Sequence, residues 1–265
     1  MILSIALSNI SNNQPVIKEY FSILFSIVNY RTWVTFAISA FVTFLVYEYS
    51  LDFNVDLTLL SIAIIFPLVF TIRGSFRRRE KALEHLSRFR ANLKTVQYFL
   101  MSDQGLNETD KKESSDILNE ISLSVLKHLG EKEYSLNALD EVTNKVYVFV
   151  LDKNASMTKS VREKVFRFMR DVHRSIEDLH AIHSHRTPIS LKAYCKIFIY
   201  IFPFLYAPTI INNIGGQTAP WVAYAIVMMT EFILISLYNI QDQLEYPFDD
   251  IGVDDVKLGN FKIYR

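Results

Sequence analysis

The sequence predicts an all-α integral membrane protein with four transmembrane helices and a helical cytoplasmic insert between the second and third. Three observations carry that expectation. Four apolar segments approach or reach the roughly 20 helical residues that a hydrocarbon core demands. Only seven glycines and seven prolines are spread over 265 residues, too few for a loop-rich fold. And 22 of the 28 Lys and Arg residues fall between Arg73 and Lys192, the stretch separating the second apolar segment from the third.

The opening MILSIALSNISNN is apolar, without a basic start or a cleavage site of small residues. No removable signal peptide is expected, and residues 1–31 are read as a cytoplasmic or membrane-surface segment. Tyr30, Arg31 and Trp33 are interface anchors for the first span, Thr32–Tyr49. The second span, Leu57–Ile72, is short and should extend to Ser75 or beyond. It runs into Arg73 and then Arg77, Arg78 and Arg79, the sign of a helix leaving hydrocarbon on the cytoplasmic side. Residues 32–76 thus form one hairpin, and Ala193–Ile211 with Trp221–Ile240 form the other, 193–240. The short connections SLDFNVD and NNIGGQTAP carry no Lys or Arg and should face outside, with both termini cytoplasmic.

Residues 77–192 have the helical period of a water-facing bundle. Leu86, Phe89, Leu93, Val96 and Leu100 form one stripe. Val165, Phe168, Met169, Val172, Ile176, Leu179 and Ile182 form another, with charges on the opposite face. Ser160 with Glu163 predicts a capping box at the start of the latter. Shorter helices are expected near 110–129 and 135–152, joined to the first by a mobile polar connector, MSDQGLNETDKKESS. Pro188 separates the insert from span three. Residues 241–265 make an acidic cytoplasmic end, and the whole is expected to be one domain in the folding sense.

Composition excludes several function classes. A net charge of zero gives no support for nucleic-acid binding. One cysteine, Cys195, permits neither an internal disulfide nor a CxxC zinc site. No GxSxG, HExxH or glycine-rich phosphate loop is present, so an enzyme is not expected.

Three stretches resemble the bestrophin family of anion channels. They are Phe70-Thr-Ile-Arg73-Gly-Ser-Phe76-Arg77-Arg78-Arg79-Glu80, His185-Arg-Thr-Pro188-Ile-Ser-Leu191, and Asp242-Gln-Leu-Glu245-Tyr-Pro247-Phe248 with its acidic sequel. Their order and spacing agree with the family over nearly the whole chain. The resemblance implies a homopentamer with a central pore lined by span two, passing chloride and other monovalent anions. Its partners would be those anions, membrane lipid and its own copies. A non-conducting membrane adaptor, whose helical region recruits a cytosolic partner, is the alternative reading. A secondary transporter is disfavoured by four spans without an inverted repeat.

Ile62, Phe66 and Phe70 follow at i, i+4 and i+8, on one slightly drifting helix face. Spacing alone fits lipid-facing or packing residues as well. The family's neck carries Ile-Phe-Phe at this spacing, and the resemblance therefore implies an apolar neck that gates by losing water. Arg73, Arg77 and Arg78 would concentrate anions in a vestibule, or serve as ordinary cytoplasmic anchors. Thr187 aligns with a cytoplasmic aperture where relatives carry an apolar β-branched residue; its ordinary reading is a turn residue before Pro188. Asp249, Asp250, Asp254 and Asp255 have the oxygen chemistry calcium prefers. Ile251-Gly252-Val253 interrupts them, so calcium is a possible ligand and no cofactor is required. His173, His180, His183 and His185 crowd one helix end without an acidic or cysteine partner to complete a metal set, so a solvated or pH-sensitive surface is expected. Glu231, a lone acid within span four, is expected to be a hydrogen-bonded packing residue.

Overall fold

The computed structural model describes residues 26–51, 53–131, 136–214 and 219–264. Among these, seven α-helices and one short 3-10 turn occur, with no strand. In chain order the helices are α1 (Tyr30–Tyr49), α2 (Leu57–Ser102), α3 (Glu108–Gly130), α4 (Leu136–Asp152), α5 (Lys159–Ser184), α6 (Ile189–Ile214) and α7 (Pro220–Leu244). The 3-10 turn is Leu258–Phe261. Each of the four expected spans lies in a helix long and apolar enough to cross a membrane: α1, the first part of α2, α6 and α7. The protein is an all-α, multi-pass membrane protein.

The chain divides into two compact units. The first comprises residues 1–76 and 187–244, the second 77–186 and 245–265. The C-terminal segment is therefore shared out. Residues 241–244 finish α7, and the acidic remainder belongs with the helices of the second unit.

In the first unit α1, α6 and α7 pack against one another. α1 turns a row of small polar residues inward: Thr32, Thr35, Ser39 and Thr43 are all buried. Small side chains let helix backbones approach closely where lipid gives no hydrophobic drive for association. The hydroxyls of Thr35 and Thr43 donate to carbonyls of their own helix, at 2.9 Å to Thr32 and 2.7 Å to Ser39. Ile64 and Leu68 of α2 pack on Cys195, Ile199 and Phe202 of α6 and on Leu234, Ile235 and Tyr238 of α7.

One end of this unit is tied by polar groups. Asn29 caps α1, its side chain accepting from the Arg31 N–H at 2.9 Å while Thr32 Oγ1 accepts from the Asn29 N–H. Asn29 Nδ2 also donates to Asn239 Oδ1 at 3.0 Å. The Asp242 carboxylate binds two cations from other helices, Arg31 at 2.7 Å and Lys192 at 2.7 Å. Arg31 is thus an ion-pair partner as well as an aromatic-flanked anchor, its guanidinium lying 5.5 Å from the centre of the Tyr238 ring.

In the second unit the expected stripes are the core. Leu86, Phe89, Leu93, Val96 and Leu100 of α2 and Val165, Met169, Val172, Ile176 and Leu179 of α5 are buried in one cluster with residues of α3 and α4. Phe248, Val256 and Ile263 of the C-terminal segment enter the same core. Two expectations are corrected. The start of α5 has no Ser160–Glu163 capping box; its N-cap is Thr158, whose hydroxyl donates to Asp103 Oδ1 at 2.9 Å. The connector after α2 is short and bound rather than mobile, because α3 already begins at Glu108, capped by Asn107.

Asp103 is the reason. It is buried and accepts from the N–H groups of Gly105 and Thr158, each at 3.0 Å, besides the Thr158 hydroxyl. Burial alone would raise its carboxyl. The bonds from Gly105 and Thr158, with Lys111 nearby, outweigh that and hold it below the ordinary carboxylate range. Its contribution to stability is present above the unfolded carboxylate pKa and disappears as pH falls through the lowered folded value. We predict that Asp103→Ala, which strands two backbone donors, costs about 2–4 kcal/mol. Thermal unfolding of the purified protein checks this, and an unchanged melting temperature would contradict it.

Candidate functional site

A single buried stripe runs down α2: Ile64, Leu68, Thr71 and Ser75 in the first unit, then Ala82 and Leu86 onward in the second. At about 100° per residue, Ile62, Phe66, Phe70 and Arg73 fall within an arc of about 80° on the side opposite that stripe. They are exposed accordingly, Ile62 by 49%, Phe66 by 60% and Phe70 by 57%. The Phe66 and Phe70 rings touch, with centroids 5.4 Å apart and planes inclined at 55°. Arg73 is exposed and makes no hydrogen bond or ion pair among the described residues. Arg77, at the start of the second unit, is likewise exposed.

Exposure by itself does not distinguish this face, since every span presents apolar residues outward. Phe41 and Phe44 of α1, Ile197 and Phe204 of α6, and Met229 and Ile233 of α7 are also exposed. The α2 face differs in sequence. It is an Ile-Phe-Phe line at one-turn spacing that passes directly into an arginine without an ion pair among the described residues.

Arg78 stands apart from this line, some 120° round the helix from Phe66 by the same geometry. Its guanidinium donates to the carbonyl of Ile182 at 2.7 Å and to that of His185. It therefore satisfies carbonyls that the end of α5 leaves without helical partners. Arg79 donates to the carbonyl of Asp254. Of the basic cluster, Arg73 and Arg77 are the two without a hydrogen bond or ion pair among the described residues. Thr187 is half-buried at the start of α6, one residue before Pro188.

The four C-terminal acids do not converge. Asp249 and Asp255 meet, but no three of the four carboxylates bring oxygens within 4.8 Å of one another among the described residues. Backbone donors point at the pair, Gly252 N–H to Asp255 Oδ2 at 2.8 Å and Ile251 N–H to Asp249 Oδ1 at 3.2 Å. Such donors suit an anion. Calcium takes roughly six to eight converging oxygens, so the arrangement fits that ion poorly. Asp250 turns the chain at φ 58°, in the left-handed region that Asp tolerates better than most residues. Burial, and then the adjoining Asp249 carboxyl, push the Asp255 carboxyl up to about 7. The sign follows from linkage. The fold binds a proton that the unfolded chain has released, so this loop is firmest below about pH 4 and loosens as pH rises toward 7. Amide hydrogen exchange of residues 249–256 should be slower at pH 5.5 than at pH 8 after correction for intrinsic rates; equal protection would refute the assignment.

Glu231 departs from expectation. It is fully buried, yet neither carboxylate oxygen has a hydrogen-bond partner among the described residues. α1 and α7 run antiparallel, with Thr32 bonded to Asn239, Phe36 against Phe232 and Tyr47 against Tyr224. That register sets Ser39, whose Oγ also lacks a partner, at the level of Glu231. An isolated buried acid stabilises nothing. Glu231→Gln is therefore expected to leave the melting temperature unchanged or higher, and a loss of several degrees would reveal a partner for the carboxyl.

The histidines are only partly solvated. His180 Nδ1 lies 3.0 Å from Nε2 of buried His128 on α3, and the His183 ring is 5.6 Å from the His128 ring. Sequence reasoning missed His128, which is separated from the others by about fifty residues.

No family model and no curated protein matches the chain. Solved structures do. A bacterial bestrophin homologue from Klebsiella pneumoniae matches in several single-residue variants. One is 13% identical with a TM-score of 0.71, covering 90% of this chain and 94% of its own. A second is 12% identical with a TM-score of 0.71, covering 88% and 95%. The fold is that of the bestrophin homologues. The match covers more of the chain than the first unit holds, so it reaches into both units.

Proposed function

We propose that the protein is a passive anion channel in which the exposed face of α2 lines the pore. The observation that carries this reading is the Ile62-Phe66-Phe70-Arg73 line, opposite the only packed stripe of its helix. Placed around an axis by copies of the chain, five in the arrangement the sequence resemblance implies, the line becomes stacked apolar collars above a ring of arginines. Arg73, with Arg77 one turn further along α2, raises the local anion concentration. The collars exclude water and set the barrier, favouring anions that shed hydration easily. The positive edges of the aromatic rings suit a passing halide. Thr187 offers a hydroxyl at the cytoplasmic aperture, where an apolar residue would offer none.

Both short connections lie outside and both termini are cytoplasmic, by the basic bias of the region between the hairpins. Conduction does not require calcium: of the acids after Pro247, Asp249 and Asp255 are engaged with each other and with backbone donors, so chelation should leave flux unchanged.

Purified protein in liposomes should release trapped chloride faster than empty vesicles do, and its mass in mild detergent should be that of five copies. Correctly inserted protein without flux would overturn the channel. A monomer or dimer would remove the axis and favour a membrane adaptor instead.

A further inference from the structure

One flank of the core stripe of α5 carries half-buried His173 and exposed Glu177, one helical turn apart, and α4 brings Asp140 alongside. One ligand atom from each of the three lies within 4.8 Å of the others. We propose that Asp140, His173 and Glu177 form a binding site for a divalent transition metal of the zinc class, which ties α4 to α5 in the second unit.

The donor types select the metal. Zinc accepts both imidazole nitrogen and carboxylate oxygen, whereas calcium and magnesium take oxygen almost exclusively. In a tetrahedral zinc site with bonds of about 2.1 Å, neighbouring ligand atoms are about 3.4 Å apart. Closing from 4.8 Å needs only a rotamer adjustment of two carboxylates, and Asp140 and Glu177 are exposed and free to make it. None of the three residues is in a salt bridge among the described residues, so the metal displaces no existing partner. Three protein ligands leave the fourth position to water. The site is open and exchangeable, and it responds to metal supply.

The neighbouring histidines are a separate group. His180 is already bonded to His128, and His183 lies against the same buried ring.

The full-length protein in detergent tests this without measuring flux. Zinc titrated against a competing chelating dye should bind at one ion per chain, and cobalt(II) at the site should give the visible bands of a tetrahedral complex. Zinc, unlike magnesium, should raise the melting temperature of the second unit by several degrees, reversibly on chelation. His173→Gln and Asp140→Asn should each weaken zinc binding by about tenfold or more, while His183→Gln leaves it intact. Both substituted side chains are at least partly solvated, so the metal-free melting temperature reports whether each variant folds. Undiminished binding in either of the first two variants, or loss in His183→Gln alone, overturns the proposal.

Discussion

Replacing Ile62, Phe66 and Phe70 together by alanine is expected to raise resting halide efflux from proteoliposomes about tenfold or more. The magnitude comes from the barrier: a reduction of only about 1.4 kcal/mol changes a rate by that factor. In the proposed pore each copy gives one side chain to each of three apolar collars, and truncating these to methyl groups widens the constriction and lets water remain in it. The substitutions should leave folding intact, because all three side chains face away from the packed stripe of α2 and contribute nothing to its burial. Efflux equal to that of the unaltered protein, with insertion and assembly unchanged, would remove α2 from the pore. A companion substitution separates the two parts of the line. Arg73→Gln should lower flux without increasing leak, and the loss should shrink at high ionic strength, where the field it supplies is screened.

Asp242→Ala is expected to be the most destabilising single change in the membrane unit. It leaves two cations, Arg31 and Lys192, facing each other in a site where both are largely buried. Removing one member of such a set costs about 3 kcal/mol even with partial exposure, a fall of roughly 6–10 °C in melting temperature for a chain of this size. Asp242→Asn, which retains an oxygen acceptor, should lose less. The consequence is local in kind, since Asp242 sits near the end of α7 and holds the first turns of α1 and α6. Thermal unfolding in detergent measures it. Equal stability of the alanine variant and the parent would mean that the three charges are solvated.

The linear order of residues carried most of the architecture because each of its signals is local. Hydropathy runs located the spans, and the basic residues clustered between spans two and three marked the region that became the second unit. A period near 3.6 located the core stripes of α2 and α5, and every stripe residue from Leu86 to Leu100 is buried. The i, i+4, i+8 line of Ile62, Phe66 and Phe70 was visible in the same way, as was the charge that follows it.

What failed was anything requiring two distant segments. Arg78 looks like its neighbours in sequence, and only the return of α5 engages it with the carbonyls of Ile182 and His185. The connector after α2 reads as mobile until Thr158, some fifty residues on, supplies the donors that fix Asp103. The Ser160–Glu163 pattern was a sound local signal that lost to that same contact. His173 had its helical partner Glu177 in plain view, but Asp140 joins them through the packing of α4.

The chain's own order of residues therefore determined that four helices cross a membrane, which helical faces are buried, and where charge collects. Tertiary structure alone decided which arginines remain free, which acids meet, and which face of α2 is left without a neighbour. The division has a physical cause. Burial and helical period are properties of consecutive residues, whereas hydrogen-bond partners and ligand sets depend on which distant segments pack together.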